Sequence, residues 1–113
     1  MEFSEESSKN IQELQFIEQQ LQAFLAQKQS IQIELNEVLN AIEELSKTEE
    51  EVYKIVSGIM IKSNKEILEK ELQEKKKLSE LRISSIERQE KLIEEKKARL
   101  QKEFMHTAHQ KKK

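Results

Sequence analysis

One segment of this chain does not follow a helical repeat: Val52-Tyr53-Lys54-Ile55-Val56-Ser57-Gly58-Ile59-Met60-Ile61-Lys62. Its Val, Ile and Tyr residues are typical of β-strands, and the only glycine of the chain lies near its centre. A two-residue hairpin turn needs residues that tolerate positive φ, so we predict a β-hairpin over about 52–62 with Ser57 and Gly58 as its turn. The predicted strand pairs are Val56 with Ile59, Ile55 with Met60, Lys54 with Ile61 and Tyr53 with Lys62.

Both faces of this hairpin carry apolar side chains. A single hairpin is marginal in water, and one with open edges and two apolar faces promotes aggregation unless it is covered. We therefore expect other subunits to cover it. The predicted assembly residues are Val52, Val56, Ile59 and Ile61 on one face, and Ile55, Met60 and part of Tyr53 on the other.

Composition argues against a compact globular domain. Of the 113 residues, 37% are charged and only 4% are aromatic, with one Gly and no Pro or Cys. This composition is typical of long helices and coiled coils. The net charge of −2 implies no strong field for nucleic acid or membrane, and no apolar run is long enough to span a bilayer. Without Cys no disulfide can form, and we expect a cytoplasmic protein.

Heptad repeats lie on both sides of the hairpin and predict two helical arms, over about 5–46 and about 64–108. Each arm would be about 60 Å long at about 1.5 Å per residue. Ser63 or Asn64 could cap the second arm, with Glu66 completing a capping box. We call the apolar stripe that each arm presents to a partner helix the seam. In the first arm one series of seam positions is Leu14, Leu21, Lys28, Leu35 and Ile42. The other series is Ile17, Phe24, Ile31, Val38 and Leu45. Those of the second arm are Leu72, Ser79, Ile86, Ile93 and Leu100. Its other series is less apolar and contains Lys76, Ile83, Glu90, Lys97 and Phe104.

Equal arms joined by a hairpin predict an antiparallel two-helix coiled coil within one domain, 1–113. Aligning the two seams brings Lys28 close to Glu90. The two side chains either pair and help to set the register, or extend separately into water.

The ends of the arms carry apolar residues that the seam does not need. The predicted binding residues for apolar surfaces of other polypeptides are Phe3, Ile11, Phe16, Phe104 and Met105. For two of them a structural role is open: Phe104 could close the last layer of the seam against Asn10, and Phe16 could lie along its flank.

The order helix, Val52-Tyr53-Lys54, Gly-containing turn, Ile59-Met60-Ile61-Lys62 and a helix with Ile86-Glu87-Arg88-Gln89-Glu90 resembles the β-class subunits of archaeal prefoldin. The resemblance covers nearly the whole chain. One departure is that Ser57 precedes Gly58 in the turn, where the family usually has Gly first. That order favours a type I′ turn over type II′.

This resemblance implies a hexamer of two α-class and four β-class subunits, whose hairpins form a β-barrel body that carries six coiled-coil arms. It also implies an ATP-independent co-chaperone that holds unfolded or nascent polypeptides at the distal tips and transfers them to a group II chaperonin. No cofactor is expected.

Other functions explain less of the sequence. A structural coiled-coil spacer or dimerisation protein accounts for the heptads but leaves the hairpin and the terminal Phe residues without a role. A nucleic-acid interface would rest on lysine runs that lack interleaved aromatics. The sequence has no phosphate-binding glycine loop, so we predict no enzyme. His106 and His109 are spaced for a metal, but two ligands make a poor site, and we predict none.

Overall fold

The chain forms two long helices separated by a β-hairpin, as predicted. The computed structural model describes residues 5–111, with the side chains of 5–106. The elements in order are α1 (Glu5–Lys47), β1 (Val52–Val56), β2 (Ile59–Ser63) and α2 (Lys65–Lys111).

The hairpin has the predicted register. Strands β1 and β2 are antiparallel, and the four predicted pairs are joined by a fifth, Val52 with Ser63. Ser57 and Gly58 have φ angles of 51° and 78°. Positive φ at both central residues defines a type I′ turn, whose twist matches that of the flanking strands. The type I′ prediction is therefore confirmed.

Polar side chains determine where the two helices meet the hairpin. The Lys65 ammonium donates to the carbonyl oxygens of Ser46 (3.4 Å) and Thr48 (3.2 Å), which satisfies acceptors at the end of α1. At the start of α2, the Asn64 side-chain oxygen accepts a hydrogen bond from the Ile67 amide at 3.1 Å. Asn64 is thus the cap. The predicted capping box with Glu66 is wrong, because the helix begins at Lys65 and the position three beyond the cap belongs to Ile67.

Contacts divide the chain into two compact units. The hairpin unit is Gln29–Ser84, and the terminal unit is Met1–Lys28 with Ser85–Lys113. In each unit the buried apolar residues all come from the predicted seam positions, which confirms the heptad assignment for the apolar seam. The buried apolar residues are Ile31, Leu35 and Leu45 in the hairpin unit, and Ile17, Ile86 and Leu100 in the terminal unit.

Two ion pairs join the helices within the terminal unit. Lys28 Nζ lies 2.7 Å from Glu90 Oε1, so the two side chains pair rather than extend separately into water. Lys97 pairs with Glu18 in the same way. The hydrogen bond from each lysine to its carboxylate raises the pKa of Lys28 and the pKa of Lys97. Because each pair joins one position of α1 to one of α2, the pairs help to set the register of this unit.

Candidate functional site

Most predicted assembly residues of the hairpin are exposed to solvent. We call the seven predicted residues the hairpin surface: Val52, Tyr53, Ile55, Val56, Ile59, Met60 and Ile61. Ile55 is 72% exposed and Met60 65%, which is unusual for large apolar side chains in regular structure. Tyr53, Val56, Ile59 and Ile61 are also exposed, and Val52 is half-buried.

The two faces of the hairpin differ in what lies beside them. On the Val52 face, Lys54 Nζ lies 3.0 Å from Glu71 Oε2 and 3.1 Å from Glu71 Oε1, which ties that face to α2. A cavity of about 510 Å³ lies beside β1, and its walls include Val52 and Ile55 together with Leu45 from α1 and Leu72 from α2. The Ile55 face has no comparable tie to a helix among the described residues. It is therefore the more open of the two faces.

A polar cluster borders the Ile55 face. The Tyr53 hydroxyl donates to Glu51 Oε2 at 2.8 Å, and Lys62 Nζ lies 3.1 Å from Glu51 Oε1. The hydrogen bond from Tyr53, followed by the one from Lys62, lowers the pKa of Glu51. Tyr53 and Lys62 are paired across the two strands. By contacting both side chains, Glu51 links β1 to β2 at the open end of the hairpin.

The predicted apolar residues of the terminal unit are not equivalent. Phe16 is 61% exposed and Met105 is 68% exposed, whereas Ile11 and Phe104 are half-buried. Phe3 lies outside the described residues. We call Ile11, Phe16, Phe104 and Met105 the terminal surface. Within it, Phe16 and Met105 are the side chains most accessible to another molecule.

Sequence reasoning missed the burial of two polar residues at the end of the seam. Ser7 and Asn10 are among the most buried residues of the terminal unit, and Asn10 Nδ2 has no hydrogen-bond acceptor within the described part of the chain. The available signal was their position: each lies one heptad before an apolar seam residue, Leu14 or Ile17.

Metal-binding clusters and membrane-spanning helices are both absent from the described residues. No group of three or more His, Cys, Asp or Glu side chains within them could hold a metal ion. The side chain of His109, three residues after His106 in the sequence, lies outside the described residues. Within residues 5–111, neither helix has an apolar stretch that could cross a membrane.

Comparison with known proteins agrees with the fold. The family model for a prefoldin subunit matches residues 8–111. The prefoldin subunit beta of Archaeoglobus fulgidus is 41% identical over 93 residues, which are 80% of each chain. That of Thermococcus onnurineus is 42% identical over 86 residues, 74% of each chain. The crystal structure of the prefoldin beta subunit from Thermococcus strain KS-1 superposes with a TM-score of 0.87 at 32% identity, covering 93% of this chain and 94% of that one.

These matches extend over both helices and the hairpin, and they agree with the predicted resemblance in family and in subunit class. Prefoldin subunits are components of a molecular chaperone rather than enzymes, and they assemble with other prefoldin subunits. The chain therefore belongs to the prefoldin family, within its class of β subunits.

Proposed function

We propose that this chain is a subunit of an ATP-independent co-chaperone that holds unfolded or nascent polypeptides and transfers them to a group II chaperonin. Four copies would assemble with two α-class subunits into a cytoplasmic hexamer. The terminal surface, with Phe3, would bind the polypeptide, and the hairpin surface would join the subunits.

The exposure of Phe16 and Met105 is the observation that carries this proposal. Both side chains lie outside a seam that already buries Ile17 and Leu100 in the same unit, so packing within the chain does not require them. Phe offers a large apolar area, and Met adapts its flexible side chain to irregular surfaces. Such a pair suits contact with polypeptides of varied sequence.

Weak contacts at each subunit fit a chaperone that must release what it holds. Burying one large apolar side chain contributes roughly 1.5–3 kcal/mol at most, so a single terminal surface would bind weakly. Several such surfaces carried by one assembly raise the effective affinity through multivalency, without a nucleotide. Each contact can still dissociate separately, which permits transfer to a second chaperone.

The hairpin supplies the means of assembly. A two-stranded sheet has unpaired backbone N–H and C=O groups along both outer edges, and here the strands also expose Ile55 and Met60. Hairpins of neighbouring subunits can satisfy these edges by forming a closed sheet, which also buries the apolar faces. This requirement for a closed sheet supports the proposed barrel body.

The test of client binding is a double substitution, Phe16→Ser with Met105→Ser, in the full chain co-assembled with an α-class subunit. We expect the subunit concentration needed to halve the aggregation of reduced insulin to rise about tenfold or more, since two apolar contacts are lost. Light scattering measures both the aggregation and the mass of the assembly, which should not change.

Leu92→Ser is the matched control, because Leu92 is 65% exposed in the same unit but was not predicted to bind clients. It should leave suppression of aggregation nearly unchanged. Undiminished suppression by the Phe16 and Met105 double variant would contradict the proposed binding surface. A mass of one or two chains after co-expression with the α-class subunit would instead favour the structural-spacer function.

A further inference from the structure

The seam of the terminal unit ends in polar residues rather than apolar ones. Ser7 and Asn10 occupy the positions one heptad before Leu14 and Ile17, and they are 1% and 7% exposed. The next layer is apolar: Ile17 is only 2% exposed, and Leu14 is half-buried. The chain therefore buries an amide side chain at a position where the heptad pattern would accept a leucine.

Asn10 is unusual because its buried amide donor is unsatisfied. Among the residues that the structure describes, its Nδ2 has no hydrogen-bond acceptor, although nearly all buried polar groups in proteins have a partner. A buried donor without an acceptor destabilises the state that buries it. A conformation in which Asn10 Nδ2 reaches an acceptor would therefore remove this destabilisation.

A role in setting the helix register does not explain this residue. A buried asparagine specifies register in coiled coils by bonding to a polar group across the interface. Asn10 Nδ2 makes no such bond. The same unit already has two ion pairs between its helices, Lys28 with Glu90 and Lys97 with Glu18.

We propose that Asn10 is a client-binding residue whose Nδ2 donates a hydrogen bond to a main-chain carbonyl of the held polypeptide. This inference rests on the proposed function and assigns it a further contact. The side chain would leave the seam when a polypeptide lies along the terminal surface, which includes the adjacent half-buried Ile11. Unfolded segments of every sequence present main-chain carbonyls, so the contact adds affinity without sequence preference.

The proposal predicts opposite effects on stability and on binding. Replacing Asn10 with leucine, which has a similar shape, removes the unsatisfied donor and should make the terminal unit open less often. It also removes the bond to the client, so affinity should fall. A residue with a structural role alone would alter stability without weakening client binding.

The experiment measures both quantities in the full chain co-assembled with an α-class subunit. Fluorescence anisotropy reports the Kd for labelled, reduced and carboxymethylated α-lactalbumin, which stays non-native, and amide hydrogen exchange reports local opening over residues 8–14. For Asn10→Leu we expect about fivefold weaker binding, equivalent to about 1 kcal/mol, together with slower exchange. Asn10→Gln keeps an amide donor and should bind within about twofold of the parent chain.

Ser79→Leu is the matched control, since Ser79 is also 7% exposed at a seam position but lies in the hairpin unit. It borders a cavity of about 360 Å³, which gives a leucine room. It should leave the Kd unchanged.

Three results would overturn the assignment: unchanged affinity with Asn10→Leu, equal loss with Asn10→Gln, or equal loss with Ser79→Leu. The Phe16→Ser, Met105→Ser variant in the same assay separates the two proposals. If that variant loses binding and Asn10→Leu does not, only the role of Asn10 fails. If neither variant loses binding, the proposed client surface fails as well.

Discussion

The hairpin unit and the terminal unit both expose apolar side chains, but they differ in the backbone that carries them. Ile55 and Met60 lie on strands whose outer edges have unpaired N–H and C=O groups, whereas Phe16 and Met105 lie on helices whose backbone groups bond internally. Strand edges add directional hydrogen bonds at fixed spacing, so they suit one partner in one register. Helical side chains add apolar contact without such bonds, so they suit many partners.

The polar contacts of the two units follow the same division. In the hairpin unit, Lys54 with Glu71 joins the hairpin to α2, and the Glu51 cluster joins the two strands at their open end. A defined position favours association because less freedom is lost on binding. In the terminal unit the two ion pairs join helix to helix, and Phe16 and Met105 lie outside them. The contrast suggests one rigid interface and one adaptable interface in a single short chain.

The largest effect is expected when the apolar character of the hairpin is removed. The double substitution Ile55→Asp with Ile61→Asp places one carboxylate on each face, where burial in an assembly would desolvate an unpaired charge. We expect assembly to be abolished while helicity, measured by circular dichroism, stays largely intact. Leu78→Asp with Leu81→Asp is the control, since both leucines are exposed on α2 of the same unit. An unchanged native mass for the hairpin variant would contradict an assembly role.

A smaller effect is expected from the turn. Gly58 has a φ of 78° with open space around the position of a Cβ, so a side chain there meets no obstacle but strains the backbone. Gly58→Val should destabilise the hairpin by about 1–2 kcal/mol, the cost of the left-handed region for an L-residue, and lower the urea midpoint of disassembly. Ser57→Gly should act in the opposite direction, because it relieves positive φ at the neighbouring residue. Equal midpoints for the two variants would show that turn geometry does not limit assembly.

The smallest effect is expected when the Lys28–Glu90 ion pair of the terminal unit is removed. The pKa of Lys28 is raised above its ordinary value of 10.5, so its contribution to stability is present below that pH and is lost as the pH rises through the raised pKa. Glu90→Gln should lower the melting temperature of the chain by a few degrees at pH 8. The difference from the parent chain should shrink as the pH rises above 10.5, whereas assembly through the hairpin is retained. A difference that stays constant into the alkaline range would contradict a stabilising charge pair.

Much of the fold could be predicted from the sequence because it depends on local periodicity. The heptad pattern predicted the buried apolar residues of both units, and the isolated Gly58 predicted the turn and the strand register. The cap of α2 was harder, since Ser63 and Asn64 are both good caps and helix boundaries shift by one or two residues. That the whole chain forms one domain remains a prediction.

The candidate surfaces were predicted in composition but not in accessibility. Apolar content alone marked the Phe and Met residues near the termini, yet the structure leaves Phe16 and Met105 open while Phe104 is half-buried. Asn10 was considered only as a possible neighbour of Phe104. Whether its amide finds an acceptor depends on which atoms of other segments lie within reach, and no pattern within one helix can reveal that.

The sequence by itself determined the two helices, the hairpin between them and the apolar seam, because 3.5-residue and two-residue periods are properties of neighbouring positions along the chain. Only the tertiary structure decided that Lys28 pairs with Glu90, that one hairpin face is tied to α2, and that Asn10 is buried with no acceptor for its Nδ2 among the described residues. Those features depend on distances between atoms far apart in the sequence. Such distances are defined only once the two helices have packed in one register.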